Sequence, residues 1–298
     1  MLNKIVITLM PLVPKKIIHL VAKKYIAGDI LDDAVRITQD FAKQDGMTTI
    51  DVLGEFVTSK EEATAEKEES LRVLDAIKKF DLPTTLSVKS TSQGLDIDEE
   101  FAYQNIKEIV TKANEYGIFV RLDMENSPYT DKILNFYRRF RAEGLDNVGI
   151  VLQAYMRRTE DDINSLLALK PSIRLCKGIY KEDSSIAFQG KEEIRENYKK
   201  LLRLILNNEM YVGIATHDEM LILDALTEIE KRGLSKENYE FQMLLGVREK
   251  RRDNILSQGH PMRIYVPYGT DWYGYATRRL KENPEMAGNI FKAMFKFQ

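Results

Sequence analysis

The sequence predicts an α/β fold, a closed (β/α)8 barrel of the TIM type with a helical arm at its N-terminus. From about residue 48, short apolar runs rich in β-branched residues alternate with charged segments of helical periodicity. The runs begin roughly 24 to 38 residues apart, the length of a strand, a helix and two loops. Eight such units follow one another without a break in composition, which favours a closed parallel barrel over an open sheet.

Each predicted strand is an apolar run bounded by polar or glycine-containing loops. In chain order the strands are Thr48–Leu53, Thr85–Lys89, Phe119–Met124, Val148–Ala154, Ile173–Lys177, Tyr211–Thr216, Tyr239–Leu244 and Arg263–Val266. The segments between them that carry helical periodicity are predicted as helices. They are Glu61–Phe80, Asp98–Tyr116, Thr130–Arg141, Glu192–Asn207 and Met220–Lys231.

The whole chain, 1–298, is expected to form one domain. Residues 1–45 would be the helical arm, and 46–298 the barrel with its C-terminal helix. Residues 4–14 are apolar with lysines beyond them, which imitates a signal peptide, but Pro11 and Pro14 interrupt the run and it lacks a small-residue cleavage site. Two interpretations stay open: the arm packs on the body of the protein, or it touches a membrane surface.

Composition excludes several classes of protein. The 44 basic and 46 acidic residues give a net charge of -2, which argues against a nucleic-acid-binding protein. Three histidines without close spacing give no sign of a metal site. A single cysteine, Cys176, excludes a disulfide framework, and no apolar run reaches the length of about 18 residues that spans a membrane. We expect a cytoplasmic protein, with peripheral contact at the inner face of the membrane as an open alternative.

Polar side chains end nearly every predicted strand. In a barrel of this type, function lies at the carboxyl ends of the strands, whereas strands that only fill a core need no charges. The sequence therefore predicts a binding surface at one mouth of the barrel. The residues concerned are Lys89, Asp123, Met124, Glu125, Gln153, Tyr155, Arg174, Lys177, Gly178, Thr216, His217, Asp218, Gln242, Leu244 and Tyr265.

A second pattern lies near the C-terminus. If the stretch from Tyr275 is helical, Tyr275, Arg278, Arg279 and Glu282 share one face. Two adjacent guanidinium groups match a carboxylate bidentately, so the pattern predicts a grip on a small carboxylate. The alternative is an ordinary surface helix whose arginines pair with Glu282, because such pairs are common and nearly neutral in energy.

Eight short motifs occur in a fixed order along the chain. They are Leu86-Ser-Val-Lys89, Asp123-Met-Glu125, Gln153-Ala-Tyr155, Arg174-Leu-Cys-Lys177-Gly178, Ala215-Thr-His217, Phe241-Gln-Met-Leu244, Arg263-Ile-Tyr-Val-Pro-Tyr-Gly269 and Tyr275-x-x-Arg278-Arg279. Together they resemble the proline dehydrogenase family in its short bacterial monofunctional form, from about Gly28 to about Asn289. Cys176 and Ile179 stand where the family more often has Val and Ala. Both would meet a cofactor through the backbone, so we expect activity to be kept.

The resemblance implies a reaction. The family oxidises L-proline to Δ1-pyrroline-5-carboxylate by passing a hydride from the ring carbon beside nitrogen to N5 of FAD, the first step of proline catabolism to glutamate. It usually delivers the electrons to membrane quinones, so a quinone or another acceptor is the implied second partner. The oligomeric state is left open.

The resemblance also implies roles for individual residues. Arg278 and Arg279 would hold the carboxylate of proline, with Lys89 as a third positive charge. Tyr265, Tyr275 and Leu244 would wall the apolar ring of the substrate. Asp123 would pair with Lys89, and Arg174 would lie beside the flavin, so these two are the implied catalytic residues. The implied cofactor-binding residues are Met124, Gln153, Arg174, Lys177, Gly178, Ile179, Thr216 and His217, and no metal is implied.

Two other functions stay open. Lysines in barrels can form imines with carbonyl substrates, so Lys89 could serve a lyase or aldolase. A carboxylate beside Lys89 argues for a protonated amine and against that chemistry. The other possibility is a barrel that binds proline or flavin without catalysis. Individually, several of these residues also have plain structural explanations, such as core packing for Tyr265 and Leu244.

Overall fold

In the computed structural model, which describes residues 23–276, eight parallel strands form a closed barrel in chain order. This confirms the predicted fold class. Each strand pairs with the next, and β8 closes the barrel on β1 with Thr48 opposite Ile264. The strands are β1 Met47–Val52, β2 Thr84–Val88, β3 Val120–Leu122, β4 Val148–Gln153, β5 Ile173–Cys176, β6 Val212–Ala215, β7 Tyr239–Leu244 and β8 Met262–Tyr268.

The helices alternate with the strands, and all five predicted helices are present. In chain order the α-helices of the described region are α1 Leu31–Ala42, α2 Lys60–Phe80, α3 Glu99–Tyr116, α4 Thr130–Ala142, α5 Thr159–Asn164, α6 Lys191–Asn207, α7 Glu219–Arg232 and α8 Glu249–Ser257. Within residues 23–276, none of them combines the length and apolarity needed to cross a bilayer.

Side-chain caps fix where several of these helices begin. The Ser59 hydroxyl accepts the Glu62 N–H at the start of α2, and the Asp98 carboxylate accepts the N–H groups of Glu100 and Phe101 at the start of α3. Such caps satisfy backbone donors that have no partner inside the helix. α3 ends at Gly117, whose φ of 71° is a left-handed conformation that glycine adopts without steric cost.

Helix α1 packs across the seam between β1 and β8. Its Val35 and Phe41 are buried, and the Thr38 hydroxyl bonds that of Thr48 at 2.9 Å. Gly46 leaves room for this packing, since a Cβ there would lie 2.2 Å from the Phe41 ring. This part of the predicted N-terminal arm is therefore packed on the barrel, and it fills the place in the outer helical ring between β8 and β1. The apolar stretch at 4–14 lies outside the described residues.

The interior of the barrel is polar, and the aliphatic residues face the helices. β3 reads Val-Arg-Leu and β5 reads Ile-Arg-Leu-Cys, with the apolar positions buried. Successive strand residues point to opposite faces, so Arg121 and Arg174 point inward where their neighbours point outward. Hydrogen bonds across the barrel, such as that from Arg174 to Asp123, confirm the direction. The hydrophobic core therefore lies between strands and helices, and the strand interiors are left for polar chemistry.

Candidate active site

A hydrogen-bonded centre formed by Asp123 stands at the carboxyl ends of the strands. Arg174 Nη1 and the Ser87 hydroxyl each donate to Asp123 Oδ1 at 2.7 Å, and the Tyr265 hydroxyl donates to Oδ2 at 2.7 Å. The Arg174 guanidinium also lies 5.3 Å from the centre of the Tyr265 ring. The Arg174 side chain is only 7% exposed, so its ion pair with Asp123 is held in one orientation and is little screened by solvent.

Lys89 forms an ion pair with Asp51. The prediction that it pairs with Asp123 is wrong. Lys89 Nζ donates to Asp51 Oδ1 in a buried ion pair. Asp51 lies opposite Ser87 in the register of β1 and β2, two residues before Lys89, so the long lysine side chain reaches it. Asp123 is occupied by the three donors from Ser87, Arg174 and Tyr265.

The electrostatics of the Lys89–Asp51 pair favour a charged lysine. Burial raises the pKa of Asp51 to about 6, although the charge of Lys89 opposes this. Burial also disfavours the charge of Lys89, but Asp51 and Asp123 outweigh it and raise the pKa of the amine above its usual value. Both groups are therefore ionised at neutral pH. A protonated amine cannot form an imine, which counts against the Schiff-base alternative.

Gln153, Met124 and Glu125 form a second part of the same mouth. Gln153 Nε2 donates to the Glu125 carbonyl at 2.8 Å, while its buried Oε1 has no hydrogen-bond partner among residues 23–276. Met124 immediately precedes Glu125 in the chain and is 8% exposed. The Glu125 carboxylate accepts the Thr91 N–H at 3.0 Å and also the Thr91 hydroxyl. Burial raises the pKa of Glu125 to about 7.

Replacing Glu125 with glutamine is expected to change how stability depends on pH. The folded pKa of Glu125 lies above its usual value of 4.5, so the folded wild type binds more protons than the unfolded chain between pH 4.5 and 7 and loses stability as pH rises through that window. Glutamine mimics the protonated form. The variant should match the wild type below pH 4.5 and exceed it by at most about 3 kcal/mol above pH 7, as measured by urea unfolding. A pH-independent difference would contradict the assignment.

Asp218 organises a third group, around Lys177. Lys177 Nζ lies 3.2 Å from Asp218 Oδ2, and the Arg195 guanidinium bonds both carboxylate oxygens at 2.9 Å. The Thr216 hydroxyl accepts the Asp218 N–H at 3.1 Å. Although burial opposes it, the bonds from Arg195 and Lys177 lower the pKa of Asp218 to about 2. The positive charge of Lys177 is thus shared with a carboxylate that is ionised throughout the neutral range.

His217 and Leu244 bridge neighbouring strands. His217 Nε2 accepts the backbone N–H of Leu244 at 3.0 Å, which assigns the ring proton to the other nitrogen in the neutral form. This bond connects the segment after β6 with the last residue of β7. Both residues belong to the sequence-predicted set, and the structure brings them into contact.

Gly178 allows a sharp turn after β5. Its φ of 103° is unfavourable for any residue with a side chain, and a Cβ there would lie 2.1 Å from the Tyr155 ring. Tyr155 is buried, and its hydroxyl has no hydrogen-bond partner in the described part of the chain. The next residue, Ile179, is 49% exposed, an unusual exposure for a large apolar side chain.

The structure unites most of the sequence-predicted residues at one mouth. Lys89, Asp123, Arg174 and Tyr265 are linked directly or through Asp51. Tyr275 is described and buried, whereas Arg278 and Arg279 lie outside the described residues.

Sequence reasoning missed Asp51, Ser87 and Arg195. The signal for Asp51 was its alternation with Thr49 along β1, which indicates an inward polar face. Ser87 alternates in the same way with Lys89. Arg195 lies on a charged helix and gave no comparable signal.

Comparison with known proteins identifies the family. A family model described as proline dehydrogenase matches residues 34–291. The chain is 40% identical over 275 residues to proline dehydrogenase 2 of Bacillus subtilis strain 168, covering 92% of this chain and 90% of that protein. It is 34% identical over 279 residues to a proline dehydrogenase of Deinococcus radiodurans, covering 92% and 90%.

Solved structures share the barrel. Proline utilization A from Bdellovibrio bacteriovorus, inactivated by N-propargylglycine, superposes with a TM-score of 0.83 at 25% identity over 88% of this chain. Proline utilization A from Bradyrhizobium japonicum gives a TM-score of 0.76 at 20% identity over 90% of this chain, a likeness of fold. In both cases the match covers 32% of the longer protein, so this chain spans about a third of their length.

Proposed function

This chain belongs to the proline dehydrogenase family, whose oxidoreductase reaction is the first step of proline catabolism, and we propose that it oxidises L-proline to Δ1-pyrroline-5-carboxylate with FAD at the carboxyl-terminal mouth of its barrel. The observation that carries this proposal is the juxtaposition of two buried cations, Lys89 and Arg174, each fixed by its own carboxylate. A site for an anionic substrate beside an electron-accepting ring needs such fixed positive charge.

Unsatisfied polar groups at the mouth fit a flavin. Gln153 Oε1 is a buried acceptor without a donor, and Arg174 Nε is a buried donor without an acceptor, among residues 23–276. Buried polar atoms of this kind are normally paired, and the ring edge of a flavin carries both N–H donors and N or O acceptors. When bound, FAD supplies the acceptor for the hydride that leaves the substrate.

We assign the cofactor-binding role to residues around these atoms. Gln153 and Arg174 would bond the ring, and Met124 would contact its face. Gly178 and Ile179 would offer backbone atoms, and the exposed side chain of Ile179 is consistent with a surface that a ligand covers. Lys177, Thr216 and His217 complete the proposed set, with Asp218 and Arg195 fixing the Lys177 ammonium.

Lys89 binds the carboxylate of proline in this proposal. An ammonium has three N–H donors, and Asp51 engages only part of that capacity. Arg278 and Arg279 would complete the carboxylate site from the C-terminal segment. Tyr265, Tyr275 and Leu244 would pack against the apolar ring of the substrate and exclude water from it.

Asp123 acts through its neighbours. Both carboxylate oxygens are engaged, so it fixes the Arg174 guanidinium and the Tyr265 ring in place. Arg174 then presents a positive charge of constant direction, which favours negative charge developing on an electron acceptor beside it. In this proposal Arg174 touches the reacting groups, and Asp123, first expected to be catalytic, is a positioning residue.

Anaerobic addition of L-proline to the purified protein tests the proposed function. The protein should be yellow and should bleach with L-proline but not with D-proline. A colourless protein, with Lys89 trapped by borohydride and a carbonyl compound, would support a lyase instead. Proline binding without bleaching would indicate a non-catalytic barrel. Reoxidation of the bleached protein by a soluble quinone would support a quinone as electron acceptor.

Replacing Arg278 with methionine is expected to raise the KM for L-proline by roughly 10- to 100-fold, because a charge-assisted bond to the carboxylate is lost. FAD content should be unchanged. Lys43→Met, which removes an exposed positive charge that pairs with Asp40 on α1, is the matched control and should keep the wild-type KM. Steady-state kinetics with an artificial electron acceptor measures both variants. An unchanged KM in Arg278→Met would exclude Arg278 from the carboxylate site.

A further inference from the structure

A cavity lined by three arginines lies at the end of the barrel opposite the mouth. It has a volume of about 290 Å³. Phe119, Ser172 and Tyr211 line it, and each immediately precedes a strand, which places this edge of the cavity at the amino ends of the strands. Arg174 lines it from the other side, while its guanidinium bonds Asp123. The cavity is therefore separated from the mouth by the Arg174–Asp123 pair.

Positive charge inside this cavity exceeds negative charge by one. Three arginines line it, and Arg174 is paired with Asp123, as Arg263 is with Glu240 at 2.7 Å. Arg121 has no carboxylate within ion-pair distance among residues 23–276. Its guanidinium donates instead to neutral acceptors, which are the carbonyls of Ile150 and Ser172 at 3.1 and 2.6 Å and the Ser172 hydroxyl at 2.9 Å.

The position of Arg121 is built into the strands around it. Gly149 lies opposite Arg121 in the register of β3 and β4, and a Cβ at Gly149 would come within 2.5 Å of Arg121 Nη1. Phe119 lies 4.9 Å from the guanidinium and stacks against it. Gly213 leaves comparable room for Gln242, which also lines the cavity, since a Cβ there would lie 2.5 Å from the Gln242 amide nitrogen.

An unpaired buried charge needs a counterion. Arg121 is 4% exposed, and burying a charge without an ion partner costs several kcal/mol. Burial lowers the pKa of Arg121 to about 9, which still leaves the guanidinium protonated at neutral pH. Three of its five N–H groups are used by the neutral acceptors.

We propose that this cavity binds one small monovalent anion, a halide or a small carboxylate, beside the Arg121 guanidinium. A single negative charge balances the single excess positive charge, whereas a dianion would overcompensate it. The volume suits a small ion with a few waters, since each water occupies roughly 30 Å³ in the liquid. This site is distinct from the mouth, and the proposal does not depend on the reaction catalysed there.

Thermal unfolding of the purified holoprotein tests the proposal. Bromide and formate are titrated separately against gluconate at constant ionic strength, because gluconate carries the same charge but is much bulkier. A ligand bound only by the folded state should raise the Tm by roughly 3 °C for each tenfold increase above its dissociation constant. A rise with bromide alone identifies a halide site, and a rise with formate alone identifies a carboxylate site. Equal Tm values in bromide, formate and gluconate would overturn the proposal.

Two variants and one diffraction experiment distinguish anion binding in the cavity from general effects of salt on the Tm. Arg121→Met removes the excess charge and should abolish the anion-specific rise. Arg36→Met removes an exposed arginine that pairs with Asp33 and should keep the rise in full. If Arg121→Met does not fold, anomalous diffraction from wild-type crystals soaked in bromide decides the matter. A bromide peak beside Arg121 is expected where bromide raises the Tm, and ordered density for soaked formate is expected there where only formate raises it. A cavity that holds neither ion would overturn the proposal.

Discussion

Replacement of Arg174 by methionine is expected to lower kcat/KM for L-proline by roughly 100- to 1000-fold, the usual cost of losing one fixed electrostatic group in an active site. The guanidinium is held by Asp123 at 2.7 Å and stacks on Tyr265, so its charge points in a constant direction toward the proposed flavin. Methionine preserves the apolar stem and removes the charge. Rapid-mixing measurement of anaerobic flavin reduction isolates the hydride-transfer step from reoxidation.

Two controls distinguish this effect from damage to the site. Arg174→Lys retains positive charge but loses the planar fork, so it should recover part of the reduction rate. Ser87→Ala removes one donor to Asp123 but leaves the ion pair with Arg174, so it should have a much smaller effect. If Arg174→Met reduces its flavin within about threefold of the wild-type rate, Arg174 has no electrostatic role in the reaction.

Replacement of Lys89 by methionine is expected to destabilise the protein by about 3 to 5 kcal/mol at pH 8, because Asp51 is left as an unpaired buried carboxylate. Asp51 is 1% exposed, and burial already raises its pKa to about 6 with Lys89 present. Without Lys89 that pKa rises further, and Asp51 takes up a proton as pH falls. The destabilisation should therefore shrink toward pH 5, as measured by urea unfolding at both pH values.

The double variant Lys89→Met/Asp51→Asn separates stability from binding. It contains no buried charge at this pair, so its unfolding free energy should return close to that of the wild type at pH 8. Affinity for L-proline should stay low in both variants, because the ammonium that we propose to bind the carboxylate is absent from both. A double variant with wild-type KM would show that Lys89 has only a structural role.

The sequence was sufficient to predict the barrel because its strands carry a strong local signal. Tyr239–Leu244 was predicted with both ends correct, and the other strands shifted by at most a few residues. In each strand, buried aliphatic residues recur in a short run bounded by loop residues. The tertiary contacts of the barrel favour the same strand conformation that this local pattern predicts. The helix predicted at Thr130–Arg141 ends one residue later, at Ala142, and apolar residues recur at helical spacing along it.

The partner of Lys89 could not be predicted, because it depends on register. Asp51 lies on β1 and Asp123 directly follows β3, and both of these strands neighbour β2, so periodicity alone does not rank the two carboxylates. In the structure Asp123 accepts hydrogen bonds from Arg174, Ser87 and Tyr265. Tyr265 lies on β8, on another side of the barrel. Which carboxylate Lys89 contacts therefore depends on how the barrel closes, and no local sequence pattern predicts it. The same holds for the packing of α1 across the seam of β1 and β8.

The central claim is that cations at the mouth of the barrel hold the carboxylate of proline. Its most direct test is a crystal structure of the FAD-bound protein with cyclopentanecarboxylate, which has the five-membered ring and the carboxylate of proline but no amine to oxidise. We expect the carboxylate within ion-pair distance of Lys89, Arg278 and Arg279, with the flavin beside Arg174. A carboxylate bound out of reach of Lys89, with Lys89 contacting only Asp51, would contradict it.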